Sequence, residues 1–227
     1  MCINIKKAKV SEIFQSIQGE GIYQGVFQVF VRFFGCNLNC TFCDTRLNFY
    51  QEFDLDTLLK RIFSYTGYYF ISLTGGEPLL QIDFLKELVK ILKKKNKLIY
   101  LETNGTLPSH LEEIIDFLDI ISMDFKLPSS TQGDSFWERH RRFLKIALKK
   151  EVFVKAVICK NTTLEDIKKS ISLLKEMKRE IYFILQPNFF QNDEELKKKM
   201  NYFLSFCKKE YKKVEIRKQL HKIIFCK

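Results

Sequence analysis

The sequence has few chain-breaking residues. Its 227 positions hold only 9 Gly and 4 Pro, and no Gly-, Ser- or Pro-rich linker or low-complexity stretch divides them. Flexible joints between modules are therefore not expected, and residues 1–227 read as one domain. Long apolar runs are missing too: nothing approaches the roughly 18 uninterrupted apolar residues of a membrane span. The opening segment, MCINIKKAKVSEIF, has no apolar core followed by a small-residue cleavage site, which points away from secretion. A cytoplasmic location without a membrane partner is the expectation, and there 7 Cys seldom form disulfides. Metal binding, redox chemistry or core packing are the uses left for them. What the chain does have is apolar mass. With 46% hydrophobic residues, including 22 Phe, it can bury one sizeable core, which excludes a disordered chain and a disulfide-stapled mini-protein.

Acidic residues are in the minority: 27 Asp+Glu against 38 Lys+Arg leave a net charge of +11. Such an excess invites a nucleic-acid reading. Its distribution argues otherwise. Residues 139–160 carry 8 basic and 1 acidic side chain, residues 197–227 carry 11 and 2, and the remainder is acidic by 5. Most of the excess is Lys at helical spacing, as in LKIALKK and ELKKKMNYF, the pattern of solvated helix faces. Only Arg139, Arg141 and Arg142 cluster in the manner of phosphate contacts. No zinc-finger, RRM or KH pattern accompanies them, so no nucleic-acid partner is expected.

By hydrophobic period, short β-rich runs alternate with longer amphipathic ones. Strands are expected at 27–34 (FQVFVRFF), 69–73, 98–101, 120–125, 152–158 and 181–185, with a last short one at 214–217. Helices are expected at 54–65 (Asp54 as N-cap), 82–94, 108–118 (Pro108 in its first turn), 136–149, 163–177 and 193–208. A helix in each link makes the strands parallel. Six such units suit a doubly wound sheet or an incomplete (β/α) barrel, and periodicity does not choose between them. Polar segments follow the strands: TGGEP at 74–78, ETNGT at 102–106, DFKLPSS at 124–130, CKNTT at 159–163 and QPN at 186–188. Each alone is an ordinary turn. Five together mark the face where parallel-strand folds bind ligands.

The sharpest local signal is GCNLNCTFCDT, which sets Cys36, Cys40 and Cys43 in a CxxxCxxC spacing directly after the first expected strand. Three thiolates within eight residues can wrap one small metal centre with little loop-closure cost. A closed zinc site needs a fourth ligand, and no fourth Cys or His lies nearby. A [4Fe–4S] cluster held by three thiolates keeps one iron open to a ligand. The residues favour the cluster over zinc and over incidental cysteines. Cys2, Cys159, Cys207 and Cys226 stand singly and read as packing residues.

This spacing resembles the signature of radical S-adenosylmethionine enzymes, with Phe42 at the aromatic position before the third cysteine and Gly75-Gly76-Glu77 resembling the GGE motif. The resemblance implies a partial (β/α)6 barrel with a mostly parallel sheet. It also implies a [4Fe–4S] cluster on Cys36, Cys40 and Cys43 whose open iron chelates S-adenosylmethionine and yields a 5′-deoxyadenosyl radical. The flanks narrow the family. SIQGEGIYQG at 16–25, VFVRFFGCNLNCTFCDT at 29–45, TGGEPLLQ, SMDFKLPSS, LQPN and a closing QLHK resemble the 7-carboxy-7-deazaguanine synthases across nearly the whole chain.

That family converts 6-carboxy-5,6,7,8-tetrahydropterin to 7-carboxy-7-deazaguanine with loss of ammonia. S-adenosylmethionine is regenerated and Mg2+ assists, on a route to queuosine-type deazapurines. Carried over by position, the resemblance implies that Ile17, Gln18, Gly19 and Glu20 meet the pterin edge. Arg32 holds the substrate carboxylate, a fork that Lys matches less well. Thr74 touches substrate, and His221 with the terminal carboxylate of Lys227 closes the pocket. Thr45 supplies the Mg2+ ligand. Phe42, Asp44, Gly76, Glu77, Ser122, Asp124, Lys126, Gln186 and Asn188 line the S-adenosylmethionine side, Asp44 also standing behind the Mg2+. No catalytic side chain beyond cluster and cofactor is implied. An external electron donor such as flavodoxin or ferredoxin and a homodimer complete the picture. At 124–126 this chain reads DFK where some members read SPK, so Asp124 and Phe125 depart from that pattern while Lys126 keeps it. Two rival readings are a glycyl-radical-enzyme activase of the same superfamily, which leaves QGEG and HK without a role, and a basic zinc-containing RNA-binding protein.

Overall fold

The computed structural model describes residues 7–45, 47–191 and 193–223. Among these residues nine strands form one sheet. They are β1 (Ala8–Ile17), β2 (Phe27–Phe33), β3 (Gln51–Phe53), β4 (Phe70–Gly75), β5 (Leu98–Thr103), β6 (Ile120–Asp124), β7 (Glu151–Ile158), β8 (Phe183–Pro187) and β9 (Val214–Ile216). The sheet order is β3-β1-β2-β4-β5-β6-β7-β8-β9. From β2 to β9 neighbouring strands are parallel, and each crossover carries a helix. Those helices are α1 (Leu55–Phe63), α2 (Ile82–Lys94), α3 (Pro108–Ile114), α5 (Trp137–Ala147), α6 (Leu164–Glu176) and α7 (Glu194–Glu210). Short helices α4 (Pro128–Thr131) and α8 (Leu220–Ile223) sit in the loop after β6 and after β9. The two outermost strands, β3 and β9, do not pair with each other. The expected partial, mostly parallel barrel is therefore the fold.

Local chemistry explains most of these boundaries. Asp54, Thr163 and Asp193 each accept a bond from the backbone three residues on, capping α1, α6 and α7. In α2, Ile82, Leu85, Val89 and Leu92 are buried at three- and four-residue spacing, the stripe that a sheet-packed helix needs. Among the described residues no helix is long and apolar enough to cross a membrane.

Four expectations need correction. The first strand is not 27–34: β1 precedes it and pairs antiparallel with β2, and β3 pairs antiparallel with β1. The β1 sequence AKVSEIFQSI has no clean two-residue alternation, partly because its register shifts between Val10 and Glu12. The cysteine loop thus follows the second strand and TGGEP the fourth. The helix expected over 108–118 ends at Ile114, and a single 3-10 turn covers Ile115–Phe117. The strand expected at 181–185 lies two residues later, which brings Gln186 into the sheet.

Strand alternation splits the sheet into two faces. Ile71, Leu73, Ile99, Leu101, Ile121, Met123, Val154, Ala156 and Leu185 point to the helices and form the main core. Their in-between neighbours Phe70, Tyr100, Ile120, Phe153 and Ile184 make a second, smaller cluster on the inner face. It is closed by Ile22, Tyr23 and Val26 of the segment between β1 and β2. Two residues further along, at about 6.6 Å for a strand rise near 3.3 Å, the same inner rows turn polar at Ser72, Glu102, Ser122, Lys155 and Gln186, and β4 continues polar at Thr74. A plug of apolar side chains, each worth about 2–3 kcal/mol when fully buried, seals the lower half of the inner face. Ligand access is left at the C-terminal strand ends.

Candidate active site

Two glycines set the cysteine loop in place. Gly75 has φ +144, and a Cβ there would lie 2.1 Å from the Phe33 carbonyl oxygen. At Gly76 a Cβ would lie 2.2 Å from the Gly35 oxygen and 2.9 Å from the Cys36 Cβ. The end of β4 therefore packs backbone to backbone on the loop, pinned by Gly76 N–H to the Phe33 carbonyl (3.2 Å) and Glu77 N–H to the Gly35 carbonyl (2.8 Å). Cys36, Cys40 and Cys43 are free thiols, the first and last exposed and the middle one half-buried. The Leu38 N–H points at Cys36 Sγ (3.4 Å), and the Asn104 amide reaches the same sulfur at 3.9 Å. Burial pushes the Cys36 and Cys40 thiols up, while the nearby Lys126 ammonium pulls both down. Among the described residues the thiols do not converge on a single-ion position.

Above the plug lies a charged layer. Gln18 donates to Glu102 Oε1 and Thr74 donates to Glu102 Oε2, both at 2.7 Å. Glu20 receives Lys155, Gln186 (3.1 Å) and Gln219 (2.7 Å). Lys126 donates to Asp124 Oδ2 at 2.7 Å, and Lys155 stands 3.9 Å from the same oxygen. Burial works against the charge of Lys155 and Lys126, but the Glu20 and Asp124 carboxylates beside them keep both above a free lysine. Lys126 also lies over the Phe42 ring, 5.4 Å from its centroid. Arg32 is held by Glu12 at Nε (3.0 Å) and lies over the Phe14 ring at the cleft wall.

These groups surround one cleft of about 770 Å3. Every expected site position lines it, from Ile17 to Asn188, except four. Glu77 is fully buried behind the wall; its carboxylate accepts from Leu79 N–H (3.1 Å), Asn104 N–H (2.7 Å) and the Thr103 hydroxyl (3.0 Å). It braces the end of β5, and burial lifts its pKa to about 7. Ser122 is buried within the polar row, hydrogen-bonded to Tyr100. His221 falls in α8 with its side chain outside the described atoms, and Lys227 lies outside the described residues. The cleft also holds side chains that the sequence reading did not assign: Glu102, Asn104, Lys155, Gln219, and Phe14 behind Arg32. Glu102 and Asn104 were visible in ETNGT. Lys155 carried a signal as the lone charge at inward parity in VFVKAV.

The pattern of the radical SAM superfamily matches residues 30–203. A 7-carboxy-7-deazaguanine synthase from Geobacter sulfurreducens is 36% identical over 205 residues, covering 79% of this chain and 81% of that protein. Its counterpart from Clostridium acetobutylicum is 36% identical over 229 residues, covering 96% of each. The chain belongs to the 7-carboxy-7-deazaguanine synthase family of radical SAM enzymes. In the fold alone, QueE from Escherichia coli matches this family member with a TM-score of 0.62 at 20% identity, over 93% of this chain and 94% of that one.

The cleft suits the groups that a radical SAM synthase carries. Its three free thiols are of the kind and number that a cluster with one open iron would need, and the Gly75-Gly76 approach leaves backbone rather than side chains beside them. Asp124 Oδ1 and Gln186 Oε1 are buried acceptors without a hydrogen-bond partner among the described residues. Both residues line the cleft, and a polar ligand there could supply donors to such acceptors.

Proposed function

We propose that this chain contracts the ring of 6-carboxy-5,6,7,8-tetrahydropterin to 7-carboxy-7-deazaguanine with loss of ammonia, as a carbon–nitrogen lyase of queuosine-type biosynthesis. One observation carries the reading: a single cleft sets the Arg32 fork and the acceptors Glu102 and Glu20 around a space beside the three-cysteine loop. Arg32 would grip the substrate carboxylate, backed by Glu12, which fixes the guanidinium plane. Gln18, Glu20, Glu102 and Thr74 would read the amino-pyrimidine edge, with Ile17 and Gly19 lining it. His221 would close the same pocket on the family resemblance.

Cys36, Cys40 and Cys43 would hold the cluster, which together with S-adenosylmethionine supplies carbon-radical chemistry beside the substrate. Asp124, Gln186 and Asn188 would bind the polar groups of S-adenosylmethionine, with the Gly76 backbone at its amino-acid end. Lys126 would pack between Asp124 and Phe42 and leave Asp124 Oδ1 to accept. The departure from SPK to DFK is compensated in this reading by Lys155, which adds a second cation beside the extra carboxylate. Thr45 would offer its hydroxyl to Mg2+, with Asp44, 3.3 Å from that hydroxyl, behind it. An acidic one-electron donor of the flavodoxin or ferredoxin kind, a homodimer and a cytoplasmic setting belong to the same proposal.

The test is anaerobic incubation of reconstituted, reduced protein with S-adenosylmethionine, Mg2+ and the carboxytetrahydropterin, with product identified by mass. Metal analysis should return about four irons and four sulfides per chain, the content of one [4Fe–4S] cluster. One zinc without iron, or an intact cluster without deazaguanine, overturns the assignment.

A further inference from the structure

Gln219 sits just before α8 and is 9% exposed. Its side-chain nitrogen donates to two carboxylates at once: Glu20 Oε1 at 2.7 Å and Asp44 Oδ2 at 3.1 Å. The reverse orientation would turn the amide oxygen on both anions, so the donor geometry is dictated by the pair. Glu20 belongs to the segment after β1, and Asp44 to the cysteine loop after β2. Cations flank the pair from outside: Lys155 reaches Glu20, and Lys222 Nζ lies 3.3 Å from Asp44.

The segment that carries Gln219 is fastened independently of its side chain. Leu220 N–H donates to the Gly19 carbonyl at 2.8 Å, Arg217 donates to the Gly21 carbonyl at 3.2 Å, and Gln24 donates to the Lys218 carbonyl. Removing the amide therefore leaves the segment tied to the 18–24 loop, and to Asp44 through Lys222, and takes away the one side chain that bonds both carboxylates at once. We infer that Gln219 is a positioning residue that couples the substrate-facing loop at Gln18–Glu20 to the cysteine loop at Asp44–Thr45, so that the two carboxylates take up position together. The inference rests on the proposed function for which loop meets substrate.

Gln219→Leu keeps the volume and deletes both bonds. The substrate KM should rise on the order of tenfold, the scale of a lost hydrogen bond to a charged group, with a smaller fall in kcat. Deuterium exchange of the cluster-loaded protein should quicken in both 16–26 and 40–45, with the thermal unfolding midpoint unchanged. Gln219→Glu, which sets a third carboxylate between the two, should raise KM further; it also serves if the Leu variant does not fold. Faster exchange in only one of the two segments overturns the coupling, as does an unchanged KM. So does a lowered unfolding midpoint with KM and kcat worsening in parallel. If the wild-type protein does not turn the pterin over, the proposed function fails, and the exchange comparison alone still decides the coupling.

Discussion

Replacing Gly76 by Ala tests the placement of the cysteine loop most directly. The added methyl would sit 2.2 Å from the Gly35 carbonyl oxygen and 2.9 Å from the Cys36 Cβ. Carbon and oxygen essentially never approach within 3.0 Å in this way, so the two backbones must part by about 0.8 Å, overpacking that costs about 1–3 kcal/mol. Neither side yields freely, because Glu77 N–H holds the Gly35 carbonyl at 2.8 Å and Gly76 N–H holds the Phe33 carbonyl at 3.2 Å. The strain should fall on residues 35 and 36, and so on the first cysteine. Displacements of about 1 Å at a reacting centre can lower rates about a hundredfold. Reconstituted Gly76→Ala should therefore show a fall in iron and sulfide content, or a full cluster with turnover lowered by about that factor. Iron analysis, the visible spectrum and single-turnover product yield read these out. A Gly76→Ala protein with wild-type iron and wild-type turnover would refute the argument, because the loop would then not depend on backbone contact with β4.

Cys40→Ala should abolish cluster assembly and product formation together, read by iron content and product mass, since two thiolates cannot hold the cluster. Arg32→Ala should leave iron content intact and raise the substrate KM at least tenfold, while Arg32→Lys recovers only part of the loss, because an ammonium lacks the fork; an unchanged KM removes Arg32 from the carboxylate site. Lys155→Met would take from Glu20 the ammonium that reaches it, while Asp124 keeps Lys126, and should cost about 3 kcal/mol, seen as a lowered urea midpoint. His140 is buried against Phe125, with Nε2 at 3.1 Å from the Asn104 carbonyl, and burial holds its pKa down at about 3. The unfolded chain takes up a proton near pH 6.5 that the folded one refuses. Stability should therefore be full above pH 6.5 and fall as pH drops toward 3, by up to about 1.4 kcal/mol per unit. Urea midpoints of His140→Gln across that window should show a shallower slope.

Much of the fold was legible because the parallel units obey local rules. The α2 stripe, the Asp54 cap and the alternation in FISL depend on neighbours three or four residues away at most, and their boundaries came out within a residue or two. β1 and β3 were not legible. Their pairing is antiparallel and long-range, β1 carries an irregular register, and three residues of QEF hold no period to detect. The site shows the same division. Cysteine spacing and GGE are sequence-local signals, and their places in the cleft followed. Glu77 is the instructive exception: the motif marked it as important, but the structure turns its carboxylate inward to bind Asn104 and Thr103 rather than toward the cleft.

The net charge was read as surface composition, and most of it is. Lys155 is not: it lies inside the basic stretch 139–160, yet stands on the inner face of β7 against Glu20. From the sequence alone came the kind of chemistry, since three thiols in eight residues and a glycine pair beside a carboxylate are fixed by covalent neighbourhood. Which charges meet was decided by the sheet. Register sets Asp124 beside Lys155 and Val157 beside Gln186, and the segment after β9 returns Gln219 to loops some 175 and 199 residues away. Such contacts depend on strand order and on the parity of inward-facing residues, and neither is written in any short stretch of chain.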